Sequence, residues 1–493
     1  MNYNPVSLKD MAIRRMATVL FKESTILASI SNMHTRSRSL INYEAEWRET
    51  VEDKLPDEIS KLGLPKSLTK LLIDTVKLMC RQVGKWKEFH EEYLQDSLDE
   101  DIYFDIVILE KLCWTAAGAV DYGKTAKELV RSDVIDTVKK FKLSCLYCLE
   151  DFIPLFWQEL PNENKKYFCN KRRHRLEIGA LGLQFWWPYI INGQESKLED
   201  LTRSHRGDQI TLHQYAFQCS LKRGNKTAAE YFFQKLTLEE KEASLMSSTR
   251  VLLGSRISYW YNVFPREQFS ELLIYLLSVM TPDQQMQIFE ERPFLVLSGL
   301  LQWPFQDIFS EIADLIWNFL PEREYDSVLQ KIYYGFRHSR EYFLRLFQEL
   351  FLRIPRDLWN SFVDRECESG SYFEFILWKE DIEAIELFFR RVGAATRARL
   401  VFSEPALRMF TRYIKIGKWD VMEVCLREAR LSQEDRERLK EVFTRHLTSI
   451  GVREMKRKTR KWSRFFQLLD EPNDPSKRCS EDETPTEAKK RKN

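Results

Sequence analysis

The 493-residue chain carries 76 basic against 74 acidic side chains, a net charge of +2, and is 44% hydrophobic and 13% aromatic. This composition excludes an intrinsically disordered chain, and the balanced charge excludes a global field demanding nucleic acid or an anionic membrane as partner. Only 16 Gly and 16 Pro are present, which fits long helices with short connections and disfavours a many-stranded sheet protein.

The opening 21 residues lack the basic-then-apolar layout of a secretory signal. The apolar stretch Leu272 to Met280 is too short to span a bilayer. Nine cysteines, an odd number spread along the chain, argue against a disulfide framework. A reducing intracellular compartment is therefore expected, without membrane contact and with the sequon Asn225-Lys226-Thr227 unused.

Residues 1–100 read as an N-terminal helical region poorly phased with the rest. Residues 10–30 form an amphipathic stretch, and Ser67-Leu68-Thr69 should start a helix over Lys70 to Gln82. Gly84-Lys85-Trp86, followed by Phe89 and Tyr93 on one face, reads as the turn of an early, degenerate repeat. The small residues of CWTAAG (113–118) through YGKTA (122–126) suit closely packed facing helices.

Over 101–465 a period of about 38–39 residues emerges, within the span of helical repeats. Short punctuation precedes an aromatic-rich amphipathic helix each time. Examples are Gly224-Asn225-Lys226 before Ala229, Phe232 and Phe233, and Trp378-Lys379-Glu380 before Ala384, Leu387 and Phe388. Gly417-Lys418-Trp419 stands likewise before Met422, Cys425 and Leu426. Phe264-Pro265-Arg266, Trp303-Pro304-Phe305 and His338-Ser339-Arg340 continue the series, with units marked near 151, 187, 225, 264, 303, 340, 379 and 418. Thr237, Thr281, Pro321 and Ser432 each stand before acidic residues, the usual layout of a helix start. These starts allow a third helical stretch per unit, and two-helix and three-helix units both stay open. One such unit cannot bury its apolar face alone, so the expected fold is an all-α solenoid of stacked units.

GNKTAAEYFF (224–233) and GKWDVMEVCL (417–426) resemble the Gly-polar pair and second helix of the ankyrin signature, and Leu212-His213 with Ala216 its Leu-His-x-Ala opening. Together with the opening VSLKDMA (6–12), the chain resembles the divergent ankyrin-like helical repeat proteins abundant in arachnids. That resemblance implies a protein-binding scaffold with no activity. The Gly-Ala-Asp-Val-Asn hairpin of ankyrin repeats is missing, which leaves three-helix, armadillo-like units open.

Few constellations could carry chemistry. Cys145, Cys148, Cys169 and His174 could be read as a zinc site, but the pair in LSCLYCL is flanked by bulky apolar residues, as buried packing cysteines are. His90-Glu91-Glu92 lacks the second His of a zinc-protease helix, and no phosphate loop, dinucleotide fingerprint or nucleophile elbow occurs. Phe185-Trp186-Trp187 with Tyr189, and Tyr259-Trp260-Tyr261, could stack bases, yet they fall near the repeat phase and read as core. The run Lys171 to Arg175 reads as a solvated connection. MKRKTRKW (455–462) could add affinity for phosphate backbones or form the polar face of a capping helix.

Residues 466–493 are expected to be a disordered basic tail. Lys477-Arg478 and Lys489-Lys490-Arg491-Lys492, separated by an acidic linker holding Thr484-Pro485, have the layout of a bipartite nuclear-import signal. Two basic clusters on an extended chain can reach two acidic pockets of an import receptor at once. The expected function is thus a non-catalytic, cofactor-free scaffold acting as a monomer on protein partners, inside the cell and in the nucleus where the tail is used. A nucleic-acid-associated protein using the basic patches is the alternative. An enzyme without a recognisable motif ranks last.

Overall fold

The computed structural model describes residues 8–21, 24–33, 46–47, 49–95, 103–170, 182–206, 209–254, 264–339, 344–355, 358–359, 366–367, 370–451 and 460–470. The fold is all-α. Among the described residues the strands are a two-residue antiparallel pair, Glu366–Cys367 with Gly370–Ser371. The chain divides into two compact units, Met1–Pro321 and Glu322–Asn493.

In the first unit the helices are α1 (Leu8–Leu20), α2 (Ser24–Ser31), α3 (Leu55–Ser60), α4 (Lys66–Leu94), α5 (Ile106–Leu109), α6 (Tyr122–Arg131), α7 (Thr137–Leu146), α8 (Ile153–Glu159) and α9 (Asn162–Phe168). There follow α10 (Leu183–Ile191), α11 (Glu195–Arg206), α12 (Leu212–Arg223), α13 (Lys226–Lys235), α14 (Leu238–Gly254), α15 (Arg266–Val279), α16 (Pro282–Glu291), α17 (Pro293–Gly299) and α18 (Gln306–Ile316). The organising element is the 29-residue α4, which packs on α1, α2, α3 and α7. Trp86, Val76, Met79 and Val83 on it are fully buried.

Here two expectations are corrected. Gly84-Lys85-Trp86 makes no turn but lies inside α4, and the helix begins at Lys66 after Pro65 rather than near Ser67. A mid-helix glycine costs about 1 kcal/mol, a deficit that burial of Trp86 and its neighbours outweighs. The small residues 113–118 do not form a helix either. They close a loop in which Thr115 N–H donates to Ala119 O at 2.8 Å and Asp121 N–H to Cys113 O at 2.8 Å, with Gly118 in the left-handed region at φ +82°.

Helix starts behave as their caps dictate. Thr237 and Thr281 exchange hydrogen bonds with Glu240 and Gln284, the reciprocal pattern of a capping box. Ser432 Oγ accepts from Asp435 N–H at 3.1 Å, and Pro321 stands directly before a helix.

In the second unit come α19 (Glu322–Ser339), α20 (Leu344–Arg353), α21 (Tyr372–Lys379), α22 (Ile382–Arg391), α23 (Ala394–Phe402), α24 (Glu404–Ile416), α25 (Trp419–Ala429), α26 (Gln433–Ser449) and α27 (Arg460–Asp470). Like helices meet in succession: α20 packs on α22 and α22 on α25, α21 on α24 and α24 on α27, and α23 on α26.

The punctuation at 224, 380 and 417 is a shared turn geometry. Gly224 (φ +78°), Glu380 (φ +57°) and Gly417 (φ +80°) are each left-handed and end one helix, and the following residue starts the next. Asn225 and Asp381 cap those next helices through Ala228 N–H and Ala384 N–H. At 224 the glycine is required twice over, because a Cβ there would stand 2.6 Å from the Phe269 ring. Pro265 and Trp303–Phe305 lead into helices and Ser339 closes one, whereas 187 falls inside α10. Trp187 there is a buried side chain in an apolar run, so evenly spaced marking misplaced that boundary. Of the residues expected to hold the stack, Phe232, Phe233, Phe388 and Leu426 are buried and Leu387 is half-buried.

Candidate functional site

The most polar interior lies around α4, and its geometry is structural. His90 donates from Nδ1 to Trp86 O at 2.7 Å, which leaves Nε2 to accept from Tyr147 Oη–H at 2.7 Å. Both ring nitrogens are thus hydrogen-bonded inside the core. Burial holds it neutral, its pKa pushed down to about 3. Lys87, 1% exposed, pairs with Glu91 at 2.9 Å and donates to Met33 O at 2.9 Å. Glu91 also accepts from Phe104 N–H at 2.5 Å. Gln82 bridges Trp303 O and Val120 N–H, and Tyr93 Oη–H donates to Gln184 at 2.8 Å. These contacts lace α4 to six other segments.

A second group stands at the start of α6. Lys226 pairs with Glu230 at 2.9 Å, and Asp121 and Glu271 share the same electrostatic neighbourhood. Burial first, then the Asp121 and Glu230 carboxylates, raise the Glu271 pKa to about 7 against the pull of Lys226 and a Gln268 hydrogen bond. The folded state therefore keeps a proton that the unfolded chain releases near the ordinary value of 4.5. Stability from this group is complete below about pH 4.5 and is lost as pH rises through 7. His90 works in the opposite sense: its contribution is present above 6.5 and is lost as pH falls towards 3. Glu271→Gln should flatten the alkaline limb, gaining about 1–3 kcal/mol over the parent between pH 5 and 8. Melting curves at those pH values check this; parallel curves for parent and variant would refute it.

A groove of about 360 Å³ opens between residues 25–32 and 50–58. Hydroxyls of Thr25, Ser29 and Thr50 line it, with Lys54 and Glu58, the latter paired with Lys61 at 2.7 Å.

Cys145 and Cys148 are buried, and burial pushes both thiols up, the behaviour of packing cysteines rather than thiolates. Cys169 is exposed and His174 lies outside the described residues. Among the described residues no group of three or more His, Cys, Asp and Glu could hold a metal ion. Phe185, Trp186, Trp187 and Tyr189 are core side chains. Tyr259 to Tyr261, the run 171–175, residues 455–459 and the tail with Lys477, Arg478, Lys489, Lys490, Arg491 and Lys492 lie outside the described residues. Asn225 of the sequon is buried, its Nδ2 donating to Leu146 O at 2.8 Å.

The remaining candidate is a surface on the second unit that residue types alone did not mark. Trp378 is 54% exposed at the end of α21 and Ile416 is 55% exposed at the end of α24. Three contacts set these helices side by side in parallel. Arg408 pairs with Glu374 at 2.8 Å, Tyr413 Oη–H donates to Leu377 O, and Lys418 pairs with Glu380 at 2.6 Å. The Lys379 ammonium lies 4.8 Å from the Trp378 ring centre. Sequence reading took Trp378 as punctuation. The signal that could have found it is an aromatic residue one turn beyond Glu374, on the polar stripe of an otherwise apolar helix.

No family model matches the chain and no curated protein matches it. No helix among the described residues is long and apolar enough to cross a membrane.

Proposed function

We propose that this chain is a non-catalytic protein-binding scaffold in which helical units stack in linear succession and present exposed side chains to protein partners. The observation that carries the reading is the succession of like helices in the second unit. The middle helices α20, α22 and α25 end at 353, 391 and 429, 38 residues apart each time, and each packs on the next. Ion pairs join two of these middle helices: Arg427 with Glu386 at 2.6 Å and Arg390 with Glu428 at 3.5 Å. Helices α23 and α26 supply a third member to successive units, which favours three-helix, armadillo-like units over two-helix ankyrin ones.

A stack of this kind uses its regular core for cohesion and its variable outer side chains for recognition. The polar interior around α4 supports the same reading, since its groups are bonded to one another. The scaffold works as a monomer, and the tail clusters Lys477-Arg478 and Lys489 to Lys492 take it into the nucleus by engaging an import receptor.

Affinity capture of the full chain from native cells, read by mass spectrometry, tests this. Partner proteins should be enriched over an unrelated bait, and deleting 477–492 should remove the import receptor while leaving the other partners. A chain that enriches no protein over the control would overturn the scaffold reading.

A further inference from the structure

We propose that the adjoining ends of α21 and α24 form a docking site for an acidic peptide segment carrying a bulky apolar side chain. The proposal rests on the scaffold reading and names the chemistry of a partner.

The register of the two helices places the parts. Arg408 meets Glu374, and one turn further along each helix stand Arg412 and Trp378. Ile416 comes a turn after Arg412 on the same face. Around these two exposed apolar side chains their neighbours are closed into the core: Leu377, Tyr413 and Ile414 are fully buried. Trp378 and Ile416 are thus fixed on rigid helix ends rather than on loops, so little ordering entropy is lost when a partner covers them.

Charge selects the occupant. The surrounding groups are Lys379, Arg408, Arg412, Lys415 and Lys418 against Glu374, Glu380 and Asp420. Five cations stand in these stretches against three carboxylates, with Glu374 bonded to Arg408 and Glu380 to Lys418. The patch is therefore cationic, which draws an acidic partner and disfavours a basic one. Trp and Arg are among the residue types in which interface energy concentrates. A peptide suits this surface better than a nucleic acid. Interspersed carboxylates oppose a continuous phosphate backbone, and the aliphatic Ile416 offers no ring on which a base could stack. Peptide carboxylates, by contrast, can be spaced to meet Arg412 and Lys415 while an aromatic or aliphatic side chain lies between Trp378 and Ile416.

The test pans a phage-displayed library of random 12-residue peptides over the full chain and measures the enriched sequences as fluorescent free peptides by anisotropy. Enriched peptides should be rich in Asp and Glu and hold at least one Trp, Phe or Leu. Their affinity should fall about tenfold or more with Trp378→Ala/Ile416→Ser, and likewise with Arg412→Glu/Lys415→Glu. Unchanged melting of both variants, expected for exposed positions, shows that folding is intact. Enriched peptides that are not acidic, peptides that bind both variants as well as the parent, or no enrichment at all would each overturn the site. A single-stranded oligouridine that binds as tightly and loses affinity in the same variants would reassign the patch to nucleic acid. Loss of this site leaves partner capture by the chain untouched, so it is told apart from failure of the scaffold reading.

Discussion

Phe388→Ala is expected to destabilise the second unit by about 3–5 kcal/mol. Phe388 is fully buried, its ring stacked on Phe351 with centroids 4.8 Å apart and an interplanar angle of 9°. On another side Phe373 stands 5.9 Å away. Three successive helices, α20, α21 and α22, thus share one aromatic column. Truncation removes the transfer energy of the ring and leaves a hole that rigid helices cannot collapse to fill. The unfolding transition of this unit in urea should move to lower denaturant with little change in slope. A loss below about 1 kcal/mol would show that α22 is not packed against its neighbours and would remove the main support for stacking. Because Phe388 is remote from no member of the column, Phe351→Ala should combine with it non-additively.

Lys87→Met should have an effect of similar size in the first unit, about 3–5 kcal/mol, through a different cause. The ammonium is 1% and Glu91 6% exposed at the side chain, so the substitution strands a carboxylate out of water. Met33 O would also lose its donor, at a further cost of about 1–3 kcal/mol when a buried acceptor goes unpaired. Adding Glu91→Leu should recover part of the loss by removing the stranded charge. Recovery stays incomplete, because Phe104 N–H then lacks the acceptor it holds at 2.5 Å. Urea unfolding of the parent, both single variants and the double variant forms the cycle that measures this. Equal stability of parent and Lys87→Met would mean the pair contributes nothing, contrary to its burial.

Much of the local structure was legible before any packing was known. The all-α class follows from scarce Gly and Pro and from apolar spacing. Thr237, Thr281, Pro321 and Ser432 announced helix starts because a cap is satisfied by residues three positions away. Gly224 and Gly417 announced turns because only a left-handed residue ends one helix and admits the next so tightly. Glu380 performs the same turn without glycine, which is why its unit was recognised by phase rather than by composition.

Where the signal is not local, reading failed. Gly84 carries the same residue types as a turn and sits inside a buried helix, since burial of Trp86 and its neighbours outweighs a propensity cost of about 1 kcal/mol. The CWTAAG segment closes on itself through hydrogen bonds to Ala119 and Asp121, partners that no helical period would indicate. The surroundings of the exposed Trp378 were illegible for a related reason: they depend on α21 and α24, two helices from different parts of the chain, lying in register.

What the sequence alone determined is therefore the helical alphabet: which stretches coil, where they start, and where the tight turns fall. Each of these is decided within about four residues by capping and left-handed backbone preference. Only the tertiary structure decided which helix is the spine of the first unit, that His90 and Lys87 are buried and bonded within its core, and that Trp378 stands exposed. Those outcomes rest on desolvation and on contacts between residues far apart in the chain, quantities that exist only once the helices have packed.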